Sequence, residues 1–231
     1  MIYCPTSLDA GHSSEFGMKS QDLLVLLKIA SMVHSDPVDW TPRTNGWQDW
    51  SSLSGVPERG DLLAGATRQA KIEVAERDFG VRSLAQATGV SKSQVSLSLR
   101  HCEEIGLLTM QHLQKPSINR RGLCEFLVYG ARYVFPVHAG ALATGIATGT
   151  AAPVFKRKLF SGTELVQVWP DAYGHSHGQA VTPLSPSVPQ AVRHDPLLYA
   201  MLALLDSLRL GGARERKIAE DELARILQIR S

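Results

Sequence analysis

The chain reads as mainly α with short strands, an α+β protein, and three observations carry that prediction. Residues 81–106 contain two helical patterns joined by a tight turn. Two strongly apolar helical patterns lie near opposite ends, one opening at Ser20 and one at Pro196. Short apolar runs at 107–110, 166–170 and 179–183 have strand character and are bounded by turn residues.

Size and composition set the limits within which these elements fold. The 231 residues suffice for one large domain or two small ones, and 44% of them are hydrophobic, as in ordinary globular chains. No apolar run approaches the ~20 residues that span a membrane. The first residues lack the cationic start and apolar stretch of a signal peptide. Cys4, Cys102 and Cys124 are widely spaced, which reads as reduced thiols in a cytoplasmic protein rather than disulfides or a zinc site. With 24 cations against 22 acids, the net charge of +2 says little about nucleic acid. Its distribution says more. Between Val81 and Arg121 the cations Arg82, Lys92, Arg100, Lys115, Arg120 and Arg121 face only Glu103 and Glu104, and Lys156, Arg157 and Lys158 form a second basic cluster.

In chain order, residues 1–17 lack apolar periodicity and are expected to be disordered. A helix follows, capped by Ser20 and loaded with Leu23, Leu24, Leu26, Leu27, Ile29 and Ala30. Residues 35–62 carry Trp40, Trp47 and Trp50 among Pro and Gly and read as a Trp-rich insertion, whose rings either anchor the loop on the core or form a partner surface. A further helix is expected over about 61–77.

In the central pair, Leu84, Ala85 and Ala87 give the first helix an apolar face. Gly89 supplies the turn, Val90 an apolar plug, and Ser91 an N-cap for the second helix. That helix then carries a stripe of Val95, Leu99 and Cys102, extended by Ile105, with Gly106 as its stop. Ser91, Lys92, Ser93, Gln94, Ser96, Leu97 and Arg100 are left facing outward or capping. Hydroxyls, an amide and cations are the groups that contact phosphates and base edges.

Beyond residue 110, Asn119 is expected to cap a helix ended by Gly130, with Leu123, Phe126 and Leu127 inward, followed by a short strand at 133–136. Residues 139–153 alternate Gly, Ala and Thr and read as an irregular ordered loop; they match neither a dinucleotide-binding fingerprint nor a P-loop. The strands at 166–170 and 179–183 flank a turn holding His175 and His177. Pro183, Pro186 and Pro189 then predict an extended stretch. Asp195-Pro196 opens an apolar helix in the preferred manner, Gly211-Gly212 ends it, and an amphipathic helix over about 213–229 presents Ile218, Leu223, Ile226 and Leu227.

Leu84-Ala85, Gly89-Val90-Ser91, Val95-Ser96, Leu99 and the run from Glu103 to Leu108 resemble the winged helix-turn-helix of bacterial transcriptional regulators, the MarR-like group in particular. The resemblance implies a winged-helix DNA-binding domain over 18–136, interrupted by the insertion at 35–62. A C-terminal extension over 137–231 would end in two helices that serve dimerisation or partner binding. It also implies double-stranded DNA as the partner, a homodimer on inverted half-sites, and no cofactor. On this reading Lys92, Ser93, Gln94 and Ser96 contact bases or phosphates, and Arg82, Arg100, Arg120 and Arg121 hold the backbone. Leu97, at a position where a polar residue is common, either meets a thymine methyl or packs under another segment. The helix expected at 119–130 displaces the usual wing.

The competing reading is a winged-helix module that binds a protein partner and reads no DNA; the small net charge and the outward Leu97 favour it. A metal-dependent hydrolase using His175 and His177 ranks last, because no third ligand has a diagnostic spacing. No base, nucleophile and oxyanion donor assemble, so no enzyme is expected.

Overall fold

The computed structural model describes residues 17–33, 78–110, 116–155 and 166–229. The Trp-rich insertion, the helix expected at 61–77, the basic cluster at 156–158 and residues 1–16 lie outside them. The architecture is mixed α and β. It comprises helix α1 (Ser20–Val33), the pair α2 (Val81–Thr88) and α3 (Lys92–Glu104), and a hairpin of β1 (Leu108–Met110) and β2 (Pro116–Ile118). Helix α4 (Arg120–Glu125) continues through one π-helical turn (Phe126–Gly130) into α5 (Ala131–Val134). Three strands follow, β3 (Ala139–Thr148), β4 (Gln167–Pro170) and β5 (Ser176–Val181), and then α6 (Val188–Ala191), α7 (Pro196–Leu210) and α8 (Ala213–Ile226).

Helix α7 is the centre of the core. Eleven successive residues from Leu198 to Leu208 are buried, because α1, α5, α8 and β3 surround it. A helix apolar all round must be enclosed in this way. Its start is as the sequence predicts: Asp195 Oδ1 accepts the Leu198 N–H at 2.9 Å, with Pro196 in the first turn. The other oxygen of Asp195 accepts from Lys28 Nζ at 2.7 Å and Ser31 Oγ at 2.5 Å, which ties α7 to α1. One hydrophobic cluster therefore runs from α1 and α2 through α7 to α8, across residue 137. The apolar surface of α7 is used inside the chain, so it no longer argues for a dimer through that helix.

Several expectations fail for identifiable reasons. The helix expected to displace the wing follows a hairpin instead: Leu108 pairs with Ile118 and Met110 with Pro116 in antiparallel register. That helix does not end at Gly130, since the π turn absorbs the glycine without breaking the backbone, and the expected strand at 133–136 begins as helix. Residues 139–148 form a ten-residue strand, not a loop. Their small side chains are what the packing requires. Strand β3 runs antiparallel to β4 and β5, which pair parallel with each other, so the three close on themselves. A Cβ on Gly145 would lie 1.9 Å from the Trp169 carbonyl oxygen, and one on Gly178 would lie 2.0 Å from that of Val166. The proline stretch is not extended throughout, because Pro189 falls in the first turn of α6. Ser20 is the first residue of α1, and Asp22 makes the capping bond, accepting the Lys19 N–H at 2.9 Å.

A buried polar cluster joins the strands to α7. Asp206 Oδ2 accepts from Thr148 Oγ1 and from Trp169 Nε1, both at 2.7 Å, and its other oxygen pairs with Arg209. Arg209 also donates to the Phe135 carbonyl at 3.2 Å. Trp169 packs edge-on against Tyr199, with ring centroids 5.5 Å apart. Ion pairs this deep survive only when hydrogen bonds replace the lost hydration.

Candidate nucleic-acid interface

The α2–α3 pair is built from local chemistry. Thr88 Oγ1 donates to the Leu84 carbonyl at 2.7 Å and accepts the Val90 N–H at 3.3 Å, closing α2 onto the turn. Gly89 adopts φ +70°, a left-handed conformation, and a Cβ there would come within 2.9 Å of Ser187 Cβ. Two separate constraints thus demand glycine. Ser91 caps α3, its Oγ accepting the Gln94 N–H at 3.4 Å. At the far end the Gly106 N–H bonds Glu103 O and the Leu107 N–H bonds Cys102 O, both at 3.0 Å, with Gly106 at φ +73°. This is a Schellman termination.

The back of α3 is held by α1. Val95, Ser98 and Cys102 are buried and Leu99 is half-buried, whereas Ile105, expected to extend the stripe, is exposed beyond the helix end. Ser98 Oγ donates to Asp22 Oδ1 at 2.6 Å, and His101 Nδ1 lies 2.8 Å from Asp22 Oδ2. Asp22 is itself 4% exposed. One buried carboxylate therefore fixes the rotation of α3 about its axis, and with it the face shown to solvent. Burial, followed by the Asp22 charge, pushes the Cys102 thiol up to about 12. Burial, then Glu220 and Glu125, also raises Cys124. A raised thiol pKa keeps each side chain in its less nucleophilic, protonated form.

The opposite face of α3 is open. Ser91, Lys92, Ser93, Gln94, Ser96, Leu97 and Arg100 are all exposed. Among the described residues, Lys92 and Arg100 form no ion pair. Leu97 is 51% exposed, so no described segment covers it. Arg82 is exposed at the start of α2, about 9 Å along the helix from the turn.

Arg120 and Arg121 do not join this group. Asn119 binds the Leu107 carbonyl through its N–H and the Gly106 carbonyl through Nδ2, which sets both arginines at the C-terminal end of α3 and the base of the hairpin. That end is about 20 Å from the Ser91 cap. Arg120 Nη1 donates to Gln228 Oε1 at 2.6 Å, and Arg121 pairs with Glu125 at 3.0 Å. Glu103 Oε1 accepts the Met110 N–H at 3.2 Å, holding β1 against α3. Among the described residues of α2 and α3, Arg82, Lys92 and Arg100 are exposed cations that form no ion pair.

Asp22, Ser98 and His101 are the residues that sequence reasoning missed. An acid in an apolar helix, and a serine and a histidine interrupting a stripe, were the available signals, but Asp22 also reads as an ordinary first-turn acid. Among the described residues no three His, Cys, Asp or Glu side chains are grouped to hold a metal ion, and no helix is long and apolar enough to cross a membrane. His177, expected in a turn, lies on β5 with Nδ1 3.4 Å from Thr144 Oγ1.

No family model, curated protein or solved structure matches this chain.

Proposed function

We propose that this protein is a cytoplasmic, sequence-specific DNA-binding transcriptional regulator that inserts α3 into the major groove and acts as a homodimer. The observation that carries the reading is the contrast between the two sides of α3. One side is bolted to α1 through Asp22, and the other presents Lys92, Ser93, Gln94, Ser96, Leu97 and Arg100 free to solvent. A groove about 12 Å wide admits such a helix. Gln94 is suited to adenine edges, Leu97 to a thymine methyl, and Lys92, Ser93, Arg82 and Arg100 to phosphates. The β1–β2 hairpin directly after α3 supports the winged-helix form and the MarR-like resemblance. Two copies on an inverted repeat would set their α3 helices roughly 34 Å apart.

Selection from a random duplex library, followed by fluorescence anisotropy at several salt concentrations, tests this. An enriched motif is expected, with log Kd against log salt rising by about 0.9 per phosphate contact, or roughly 3 units per protomer for Arg82, Lys92 and Arg100. No enriched motif and no salt dependence would overturn the proposal.

One observation favours the second reading, a protein-interaction module. Tyr129 and Tyr133 are 67% and 75% exposed beside a crevice between α5 and α8, with Arg132 over the Tyr133 ring at 5.3 Å. Exposed Tyr and Arg are the residues enriched in protein interfaces. Loss of a protein partner, with DNA binding intact, on Tyr133→Ala would assign that crevice to a separate contact.

A further inference from the structure

The crevice between α5 and α8 has a volume of about 370 Å³, within the range of ligand sites. Val128, Leu208 and Ala213 give it an apolar lining, and the exposed Tyr129 and Tyr133 add to it. Tyr129 belongs to the π turn, a distortion that recurs at functional sites. Four charged side chains complete the lining: Arg132, Arg216, Lys217 and Glu220.

These charges are not balanced. Lys217 Nζ lies 3.3 Å from Glu220 and 3.1 Å from Asp221, so both acids already hold a cation. Arg132 and Arg216 hold no acid. The Arg132 guanidinium lies over the Tyr133 ring at 5.3 Å, which covers that ring face but uses none of the N–H donors. Arg216 donates through Nε alone, to the Gly212 carbonyl at 3.3 Å. Among the described residues, neither guanidinium meets a carboxylate. The two stand on different helices, so one crevice presents two unmatched cations beside apolar surface. The fork of a guanidinium matches a carboxylate. A nucleic-acid backbone suits the crevice less, because Glu220 and Asp221 would repel its phosphates.

We propose, building on the reading of this crevice as a protein contact, that its occupant is an acidic segment of a partner protein. Two carboxylates of that segment pair with Arg132 and Arg216. An apolar side chain between them packs on Val128 and Tyr129.

Selection of a displayed random peptide library on the full chain, followed by anisotropy titration of the enriched peptides, tests this. Enriched sequences should carry two or more acids beside an apolar residue. Replacing those acids by their amides should weaken binding about tenfold or more, the size of one charge-assisted hydrogen bond. Arg132→Gln and Arg216→Gln should each weaken it about fivefold. Arg214→Gln removes an exposed cation of α8 outside the lining and should change it by less than about twofold. The exchange on the peptide decides the matter if a protein variant misfolds. Equal binding of the amide peptides, with loss on Tyr133→Ala, would overturn the acidic occupant and leave the protein contact standing. No enriched peptide, or binding indifferent to Tyr133→Ala, would overturn both. A lowered salt slope of DNA binding in Arg132→Gln and Arg216→Gln, with peptide binding unchanged, would give the crevice to nucleic acid and overturn the proposal.

Discussion

The α2–α3 pair and the three strands β3, β4 and β5 are built on opposite principles. In the pair, the defining features are local: a threonine closes α2, a glycine turns the chain, a serine caps α3 and a second glycine stops it. In the strands almost nothing is local. Residues 139–148 acquire their strand from two partners that begin only at Gln167 and Ser176, and their small side chains are needed because those partners come so close. Substitutions in the strands should therefore unfold the protein. Substitutions on the open face of α3 should leave the fold intact and alter binding.

The largest effect is expected at Asp206. Asp206→Ala leaves Arg209 as an uncompensated buried charge and removes the acceptor for Thr148 and Trp169, at a cost of about 3–5 kcal/mol in urea unfolding. A loss below about 1 kcal/mol would show that the cluster is hydrated. Gly145→Ala comes next, at about 3 kcal/mol, because backbone rather than a movable side chain opposes the new methyl. Gly89→Ala should cost less, about 1–3 kcal/mol, since a positive φ is strained but Ser187 is able to shift. If Gly89→Ala proves worse than Gly145→Ala, the contrast between the two regions fails.

Smaller still is Ser91→Ala, at about 1 kcal/mol through loss of the cap. Gln94→Ala and Arg100→Ala should change stability by less than about 0.5 kcal/mol, as exposed positions do. Each should nevertheless weaken specific DNA binding by about 1–3 kcal/mol in anisotropy titrations. Unchanged affinity in both would sink the assignment of this face. Arg120→Ala should leave the salt slope unaltered, in contrast to Lys92→Ala, because its guanidinium is engaged with Gln228.

What was legible in the sequence follows the same division. Caps, stops and one-sided stripes act over three or four residues, so Gly89, Ser91, Gly106 and Asp195-Pro196 could be read directly. Ile105 was misread because a stripe was extrapolated past the residue where the helix ends. The Gly/Ala/Thr stretch was misread because it lacks the large alternating side chains that identify a half-buried strand. Here the strand is specified by how closely others approach it. Gly130 was misread as a stop because a glycine signal does not distinguish a terminus from a π turn whose bonds continue on either side.

By itself the sequence determined which segments are helical at the α2–α3 pair and along α7, where they start and stop, and which α3 residues can face outward. Only the tertiary structure decided that Asp22, 76 positions from Ser98, fixes that outward face. It likewise decided that α7 spends its apolar surface inside the chain, and that Arg120 and Arg121 stand apart from the open side of α3. The reason is physical. A cap or a turn is closed by atoms a few bonds away, whereas a buried carboxylate or a tight backbone crossing gains its partner only when distant segments have already packed.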